Sequence, residues 1–223
     1  MVTIRLPLWH SFRLIAGLVI VLALASNAAA AERGENATAA DSAPIVLIFG
    51  DSLSAAYGMA QEKSWPALLA ERLEASGYPH RVVNVSRSGE TTGGGLRRLP
   101  DALERVEPTL TLLQLGGNDG LRGRPPTQIR SNLEQMLEAI EATESAVLLI
   151  GIRIPPNYGP AYTQQFEAVY RDLAEAHDVP LLPFLLEDIW NRDGMMQADG
   201  IHPSTQAQPL ILELLWEEVE PLL

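Results

Sequence analysis

Apolar residues of this chain fall into five short runs that alternate with longer segments in which apolar positions recur at helical spacing. Short runs rich in apolar and β-branched residues predict buried strands, and apolar positions three and four apart predict helices that pack on one face. The runs that predict strands are 45–49, 81–85, 109–115, 146–152 and 179–182. The segments that predict helices are 64–76, 93–106, 129–143, 162–177 and 205–219.

This alternation of strands and helices predicts the α/β class. Parallel strands need crossover connections, which are usually helices, and these helices cover both faces of the sheet. The sequence therefore predicts an open, doubly wound sheet of five strands. The pattern does not define the order of the strands in the sheet.

The N-terminal part of the chain does not follow the alternation. Residues 1–31 start with a basic segment, continue with an uninterrupted apolar run of 12 residues and end in alanines that include positions 29–31. Such a run is short for a membrane span, and this arrangement is typical of a cleaved secretory signal. We therefore expect a signal peptide at 1–31, a flexible tail at 32–43 and one folded domain at 44–223, in a protein that is periplasmic or secreted by a bacterium.

Charge and cysteine content exclude several classes of function. The formal charge is −12, and it becomes −14 without residues 1–31, which hold two arginines and no acidic residue. Nucleic acids and anionic lipid surfaces attract basic proteins, so neither is an expected partner. The sequence has no cysteine, which excludes disulfides, thiolate catalysis and a lipid-modified cysteine at the cleavage site.

Four polar clusters follow strands of the predicted sheet or precede the last helix. They lie at 50–52, 88–90, 116–119 and 199–202. The carboxyl ends of parallel strands share one edge of an open sheet, and ligands bind at that edge. We therefore expect the four clusters to converge.

Ser52, His202 and Asp199 are the candidates for catalysis in these clusters. Ser52 follows a strand on a glycine-initiated turn, where α/β proteins expose nucleophiles, although a helix-capping serine has the same surroundings. A serine nucleophile needs a general base, and among the histidines of 44–223 only His202 is near the predicted edge. Asp199 can reach the imidazole and hold its tautomer. The same pair also fits a loop hydrogen bond or a cap, and a metal site would need further ligands.

Three groups are candidates for stabilising the oxyanion that forms when a nucleophile attacks a carbonyl. They are the N–H of Ser52, the N–H of Gly89, which no side chain obstructs, and the side-chain amide of Asn118. Taken singly, Gly89 also fits a turn and Asn118 a cap at a strand end. Asp51 is expected to organise the turn beside the nucleophile through hydrogen bonds.

Together these residues occur in the order of the four sequence blocks of the SGNH, or GDSL, hydrolases, which the chain resembles over about residues 44–222. The blocks are Gly50-Asp51-Ser52-Leu53-Ser54, Gly89, Gly117-Asn118-Asp119 and Asp199-Gly200-Ile201-His202-Pro203. Other stretches resemble the branch of bacterial periplasmic thioesterases, lysophospholipases and arylesterases. These stretches are 65–69, 116–123, 156–159 and 179–184.

The resemblance implies a three-layer α/β/α, flavodoxin-like fold with strand order 2-1-3-4-5. It also implies a hydrolase that uses no cofactor and no metal. Ser52 would be the nucleophile, His202 the base and Asp199 the acid that orients the base. The N–H groups of Ser52 and Gly89 and the side chain of Asn118 would form the oxyanion hole.

The resemblance further implies where substrate binds. In the family, the loop after the third block, here 119–125, moves when substrate binds, and the turn 153–155 would border the acyl groove. The residues expected to contact substrate are Asp119, Gly120, Leu121, Ile154 and Pro155. The glycines at 93–95 and the segment 124–126 look less typical of the family and lie near the mouth of the site, so the acyl-length preference is expected to differ.

The expected function is hydrolysis of acyl esters and thioesters of small molecules or lipids by a monomeric enzyme. Two alternatives stay open. A carbohydrate O-acetylesterase uses the same triad with a small acyl pocket. A module that binds an anion or a lipid head group would use the helix-start geometry at Ser52 and Gly89 without turnover.

Overall fold

A computed structural model describes residues 43–223, so the expected signal peptide and nearly all of the expected tail lie outside the described residues. Across this range the strands form a parallel sheet with the order β2-β1-β3-β4-β5, as the resemblance implied. The strands are β1 (Ile45–Gly50), β2 (Arg81–Asn84), β3 (Leu110–Gln114), β4 (Ala146–Ile150) and β5 (Leu181–Leu182).

Helices cover both faces of this sheet. They are α1 (Trp65–Ala75), α2 (Thr92–Val106), α3 (Gly117–Leu121), α4 (Pro126–Glu141), α5 (Pro160–His177) and α6 (Gln208–Val219). Helix α1 packs against α6, while α2 packs against α4 and α4 against α5. These two groups form the outer layers of an α/β/α sandwich, which confirms the predicted fold class.

The predicted elements agree with the structure to within a few residues, and the differences have local causes. Strand β5 has two residues instead of the predicted four, because Pro180 and Pro183 on either side of it lack the N–H that a sheet ladder needs. Helix α4 begins three residues earlier than predicted, at Pro126, because the fixed φ of proline suits the first helical turn. Helix α3 was not predicted, since two of its five residues are glycine.

The centre of the sheet determines where the candidate site lies. All five residues of β3 are buried, as are five of the six residues of β1. These strands pair in register, with Gly50 opposite Gln114 at their carboxyl ends. A Cβ on Gly50 would lie 2.7 Å from Gln114 Oε1 and 2.8 Å from Ser54 Oγ. Glycine therefore lets the buried core end in a compact polar turn.

Membrane-spanning helices and metal-binding clusters are both absent from the described part of the chain. Between residues 43 and 223, no helix has both the length and the apolar character that crossing a bilayer requires. Over the same range, no three His, Asp or Glu side chains are grouped so that they could hold a metal ion.

Candidate active site

The turn after β1 is built around the carboxylate of Asp51. Asp51 is 2% exposed, and its Oδ1 accepts hydrogen bonds from the N–H of Leu53 at 3.1 Å and from Gln114 Nε2 at 3.0 Å. Gln114 Oε1 in turn accepts a hydrogen bond from Ser54 Oγ at 2.6 Å. These bonds fix the chain on both sides of Ser52, whose side chain is half-buried. The expectation that Asp51 organises this turn is confirmed.

A second loop brings His202 to the same turn. Met196 and Pro203 pair across an antiparallel bridge, so the residues between them form a closed loop. At its tip, Asp199 Oδ1 accepts hydrogen bonds from the N–H groups of Ile201 at 2.9 Å and His202 at 3.0 Å. Because Asp199 precedes His202 by three residues, its Oδ1 can accept the two backbone hydrogen bonds while Oδ2 remains available to the imidazole.

Two hydrogen bonds link Ser52, His202 and Asp199. His202 Nδ1 lies 2.7 Å from Asp199 Oδ2, and His202 Nε2 lies 2.8 Å from Ser52 Oγ. An ionised carboxylate can only accept hydrogen bonds, so Nδ1 carries the ring proton and donates a hydrogen bond to Asp199. The other nitrogen of the neutral ring is then free to accept the hydrogen bond of the serine hydroxyl. The structure therefore brings the three predicted residues together in the arrangement by which a base can activate a serine.

The pKa of Asp199 is lowered to about 2. Desolvation acts to raise this pKa, but the hydrogen bonds from the backbone and ring of His202 and from the backbone of Ile201 outweigh desolvation. The Asp199 carboxylate therefore remains ionised throughout the neutral pH range. It is available to stabilise an imidazolium when one forms.

Asp51 shows the opposite shift. Burial raises its pKa to about 6, although the hydrogen bonds it accepts and the charge of His202 favour the ionised form. Its Oδ2 lies 3.4 Å from Asn118 Nδ2, and the same nitrogen donates a hydrogen bond to the carbonyl of Glu90 at 3.0 Å. The buried carboxylate is therefore linked to the Asn118 cluster as well as to the nucleophile turn.

The backbone N–H groups of Ser52 and Gly89 have no hydrogen-bond acceptor within residues 43–223. Gly89 has a φ of +76°, in the left-handed region, and a Cβ there would meet no heavy atom within 4 Å. Glycine is therefore favoured at this position by backbone conformation and not by crowding. Asn118 is half-buried in α3, and one of its amide hydrogens has only the long contact with Asp51.

The loop after Asn118 is anchored at its base by Asp119. Asp119 is 5% exposed, and its two oxygens accept hydrogen bonds from the N–H of Thr92 at 2.8 Å and from its hydroxyl at 2.9 Å. Asn132 Nδ2 donates to the same hydroxyl at 2.9 Å. The carboxylate therefore connects the loop to the start of α2. Because the side chain is buried, a contact between it and substrate, which the resemblance implies, would require the surrounding residues to move.

The other residues expected to contact substrate differ in accessibility. Gly120 is buried, and a Cβ there would lie 2.6 Å from Ile154 Cγ2. Ile154 is itself 6% exposed, so these two residues pack against each other inside the protein. Leu121 is half-buried and Pro155 is exposed. Of this set, Leu121 and Pro155 offer side-chain surface that a ligand can reach.

Two tyrosines hold the outer part of this loop. The Tyr158 hydroxyl donates a hydrogen bond to the carbonyl of Leu121 at 2.8 Å, and the Tyr162 hydroxyl donates to the carbonyl of Arg124 at 2.6 Å. Tyr162 belongs to α5, and Tyr158 lies just before that helix. The loop is thus attached at its base to α2 and at its outer end to the α5 region.

Two residues that contact the site residues, Gln114 and Tyr57, were not predicted from the sequence. Gln114 could have been found, since it is a polar residue at the end of an otherwise apolar strand. Tyr57, whose ring lies against His202 with ring centroids 4.2 Å apart, has no signal in the local pattern. Its position depends on how two loops, far apart in the sequence, fold against each other.

A three-layer α/β/α sandwich with a hydrogen-bonded serine, histidine and aspartate at the carboxyl edge of its parallel sheet is the architecture of a serine hydrolase. The family described as GDSL-like lipase/acylhydrolase matches residues 48–208. The chain belongs to this family, as its four sequence blocks indicated.

Individual relatives match over most of their length. Esterase TesA of Pseudomonas aeruginosa is 49% identical over 181 residues, which cover 81% of this chain and 90% of that protein. Thioesterase 1/protease 1/lysophospholipase L1 of Escherichia coli K12 is 45% identical over 183 residues, covering 82% and 86%. The solved structure of psychrotrophic esterase EstA from Pseudoalteromonas sp., inhibited by monoethylphosphonate, is 41% identical with a TM-score of 0.77, covering 79% of this chain and 97% of that one.

Proposed function

We propose that the protein hydrolyses acyl esters and thioesters by means of Ser52, His202 and Asp199. Its membership of the acylhydrolase family makes it a hydrolase of ester bonds. The observation that carries the proposed mechanism is the hydrogen-bonded chain from Ser52 Oγ through the imidazole to Asp199, with distances of 2.8 and 2.7 Å. A module that only binds an anion has no need of such a chain.

In the proposed reaction, Ser52 Oγ attacks the carbonyl carbon of the acyl group while its proton moves to His202 Nε2. The imidazolium, stabilised by Asp199, gives this proton to the leaving alcohol or thiol as the C–O or C–S bond breaks. Water, deprotonated by the same nitrogen, then attacks the acyl-serine. As the bond between the acyl carbon and Ser52 Oγ breaks, the imidazolium returns this proton to Ser52 Oγ and the acid is released.

The oxyanion of each tetrahedral intermediate would be held by the N–H groups of Ser52 and Gly89 and by the amide of Asn118. Supporting this, neither N–H has an acceptor in the part of the chain that the structure describes. The second amide hydrogen of Asn118 has only the 3.4 Å contact with Asp51. Donors that are not already committed can bind a developing negative charge without first losing another partner.

The names of the relatives support acyl esters and thioesters as the substrate class, since they include an esterase, an arylesterase and a thioesterase/lysophospholipase. We propose that the accessible surfaces of Leu121 and Pro155 contact the acyl chain of the substrate. Gly120 and Ile154 would support these surfaces from inside. Asp119 would act through the position of its loop, because its carboxylate is buried.

The composition of residues 1–31 supports export, and we propose that the protein acts as a monomer in the periplasm or outside the cell. N-terminal sequencing of the protein from a periplasmic fraction tests this proposal. A chain that starts at residue 31 or 32 would support it, and a cytoplasmic chain that retains residue 1 would contradict it.

Hydrolysis of p-nitrophenyl esters from acetate to palmitate tests the function, with Ser52→Ala as the critical variant. The matched control is Ser76→Ala, because Ser76 is exposed after α1 and belongs to none of the polar clusters. We expect activity on medium or long chains that the control retains and Ser52→Ala loses. Activity on acetate alone would indicate a sugar deacetylase, and no turnover in the unmodified protein would indicate a binding module.

A further inference from the structure

We propose that Tyr57 is a positioning residue for His202. The face of the Tyr57 ring stabilises the His202 imidazolium that forms when Ser52 loses its proton. This inference rests on the proposed function and adds a residue to its machinery. The Tyr57 and His202 rings lie with centroids 4.2 Å apart and planes 30° from parallel. Ser52 and Asp199 bond the two nitrogens at the edge of the imidazole, whereas Tyr57 covers one of its faces.

The chemistry of the contact favours the charged form of the imidazole. The face of an aromatic ring carries partial negative charge, and a cation placed over that face is attracted to it. The positive charge of an imidazolium is spread over the ring that Tyr57 covers. This contact is therefore stronger in the protonated state, which forms during each half of the reaction, than in the resting state.

The backbone around Tyr57 adopts an uncommon conformation. Ala56 has a φ of +56° and Gly58 a φ of +71°, so both neighbours of Tyr57 are in the left-handed region. A non-glycine residue seldom adopts this conformation unless the surrounding structure imposes it, and such residues cluster at functional sites. The turn at 56–58 thus directs the tyrosine ring onto the imidazole.

Gln197 fastens this turn to the loop that carries the histidine. Its Nε2 donates hydrogen bonds to the carbonyl of Tyr57 at 2.9 Å and to the carbonyl of Pro203 at 3.0 Å. A Cβ on Gly58 would overlap Gln197 Oε1, so glycine makes this approach possible. The backbone N–H of Gln197 also donates to the carbonyl of His202 at 2.8 Å. The hydrogen bond from Gln197 to Tyr57 therefore joins the two loops that carry the rings, while the bonds to Pro203 and His202 hold Gln197 within the histidine loop.

A packing role alone does not explain this arrangement. Tyr57 is 46% exposed, so its ring contributes little to the buried core. Its hydroxyl makes no hydrogen bond to any residue from 43 to 223, so the ring and not the hydroxyl is the part in use. The other charged groups near the imidazole are Asp199 on its own loop and Asp51 on the nucleophile turn.

The test is an NMR pH titration of the His202 ring, whose resonance is assigned by comparison with a His202→Gln variant. In Tyr57→Leu, we expect the titration midpoint to fall by about 0.5 pH unit, a threefold change in the protonation equilibrium. Tyr57→Phe is expected to keep the midpoint, and Tyr57→Trp, with a stronger ring face, to raise it. Tyr78→Leu is the matched control, because the Tyr78 ring lies 6.2 Å from that of another histidine, His80.

Kinetics on a p-nitrophenyl ester provide the second readout. We expect kcat/KM of Tyr57→Leu to fall three- to tenfold, with its pH profile moved toward acid, while Tyr57→Phe restores both. Equal midpoints and equal profiles for the Leu and Phe variants would overturn the proposal. If Tyr57→Leu does not fold, an unchanged midpoint between the Phe and Trp variants would overturn it.

The two readouts separate this proposal from the proposed function. The titration needs no turnover, so the expected order of midpoints in a protein without esterase activity would support the ring contact and contradict the function. Esterase activity that is lost in Ser52→Ala, together with unchanged midpoints, would support the function and overturn the role of Tyr57.

Discussion

At the scale of single residues, two aspartates beside Ser52 have opposite pKa shifts because their surroundings differ. Asp199 lies at the tip of a loop, where hydrogen bonds outweigh desolvation and lower its pKa to about 2. Asp51 lies under the nucleophile turn, where burial dominates and raises its pKa to about 6. Asp199 is thus a permanent anion at neutral pH, and Asp51 changes its charge in the weakly acidic range.

The first prediction concerns the tautomer of His202. An amide at position 199 would present a donor to Nδ1 and favour the tautomer in which Nε2 holds the proton, so that Ser52 loses its base. We therefore expect Asp199→Asn to lower kcat about 1,000- to 10,000-fold. Steady-state hydrolysis of p-nitrophenyl butyrate measures this effect. The control is Asp193→Asn, an exposed position in the same part of the chain, and an Asp199→Asn variant as active as this control would contradict the account.

The second prediction concerns the pH dependence of the reaction. Because a histidine base must be neutral to accept the serine proton, kcat/KM should rise with pH around neutrality. Asp199 should add no second step there, since its pKa of about 2 keeps it ionised. Stopped-flow measurement of the acylation rate provides the profile. A rate that does not change between about pH 5 and 8 would exclude histidine as the base.

The third prediction concerns the oxyanion donors. Removing one such donor typically costs about 100- to 1,000-fold in kcat, so Asn118→Ala should lose activity in that range. The loss should appear in kcat more than in KM, because the donor acts on charge that develops in the transition state. The matched control is Asn157→Ala, at an exposed turn position. A loss confined to KM would place Asn118 in substrate binding instead.

At the scale of elements, the site depends on loops that are joined to one another as well as to the sheet. The loop 119–125 is bonded to α2 through Asp119 and to the α5 region through Tyr158 and Tyr162. The turn after β1 is bonded to the histidine loop through Gln197. Each of these loops is therefore attached to a neighbouring segment by identifiable hydrogen bonds.

The fourth prediction tests the attachment of the loop 119–125. Changing both Tyr158 and Tyr162 to Phe keeps the rings and removes the two hydroxyl bonds to the loop, each worth about 0.5 to 1.5 kcal/mol. We expect faster amide hydrogen exchange in the loop, measured by mass spectrometry, with unchanged exchange in β1 and β3. Tyr78→Phe is the control. Unchanged exchange in the double variant would show that these bonds do not hold the loop.

Which features the sequence reveals depends on the range of the interactions involved. Strands and helices were predictable because apolar periodicity is local, and their alternation was enough for the fold class. The convergence of Ser52, Asn118 and His202 was predictable because parallel strands share a carboxyl edge. Three features come from pairings between distant segments, which no local pattern encodes. They are the strand order, the ring contact of Tyr57 and the hydrogen bond from Gln197 to the Tyr57 carbonyl.

At the scale of the whole molecule, the buried Asp51 carboxylate affects the stability of the fold. Its folded-state pKa of about 6 lies above the ordinary value of 3.8. The folded protein therefore retains this proton at pH values at which the unfolded chain has released it. The contribution is fully present below about pH 4 and is lost as the pH rises to about 6.

The fifth prediction follows from the direction of this change, in which the stability that Asp51 contributes falls as the pH rises. The free energy of unfolding of the unmodified protein, minus that of Asp51→Asn, should fall by about 2 kcal/mol between pH 4 and pH 7. Taking the difference removes the titration of the other carboxylates, which is common to both proteins. Urea unfolding at several pH values measures it. A difference that stays constant or grows with pH would contradict the raised pKa.

Covalent labelling with a fluorophosphonate tests the central claim, that Ser52 is an activated nucleophile, most directly. Intact-protein mass spectrometry of the folded protein should show one adduct per chain, located by peptide analysis at Ser52. Ser52→Ala should show none, and urea-unfolded protein should show none because the histidine is no longer beside the serine. Absence of the adduct in the folded protein, or its persistence in Ser52→Ala, would contradict the account.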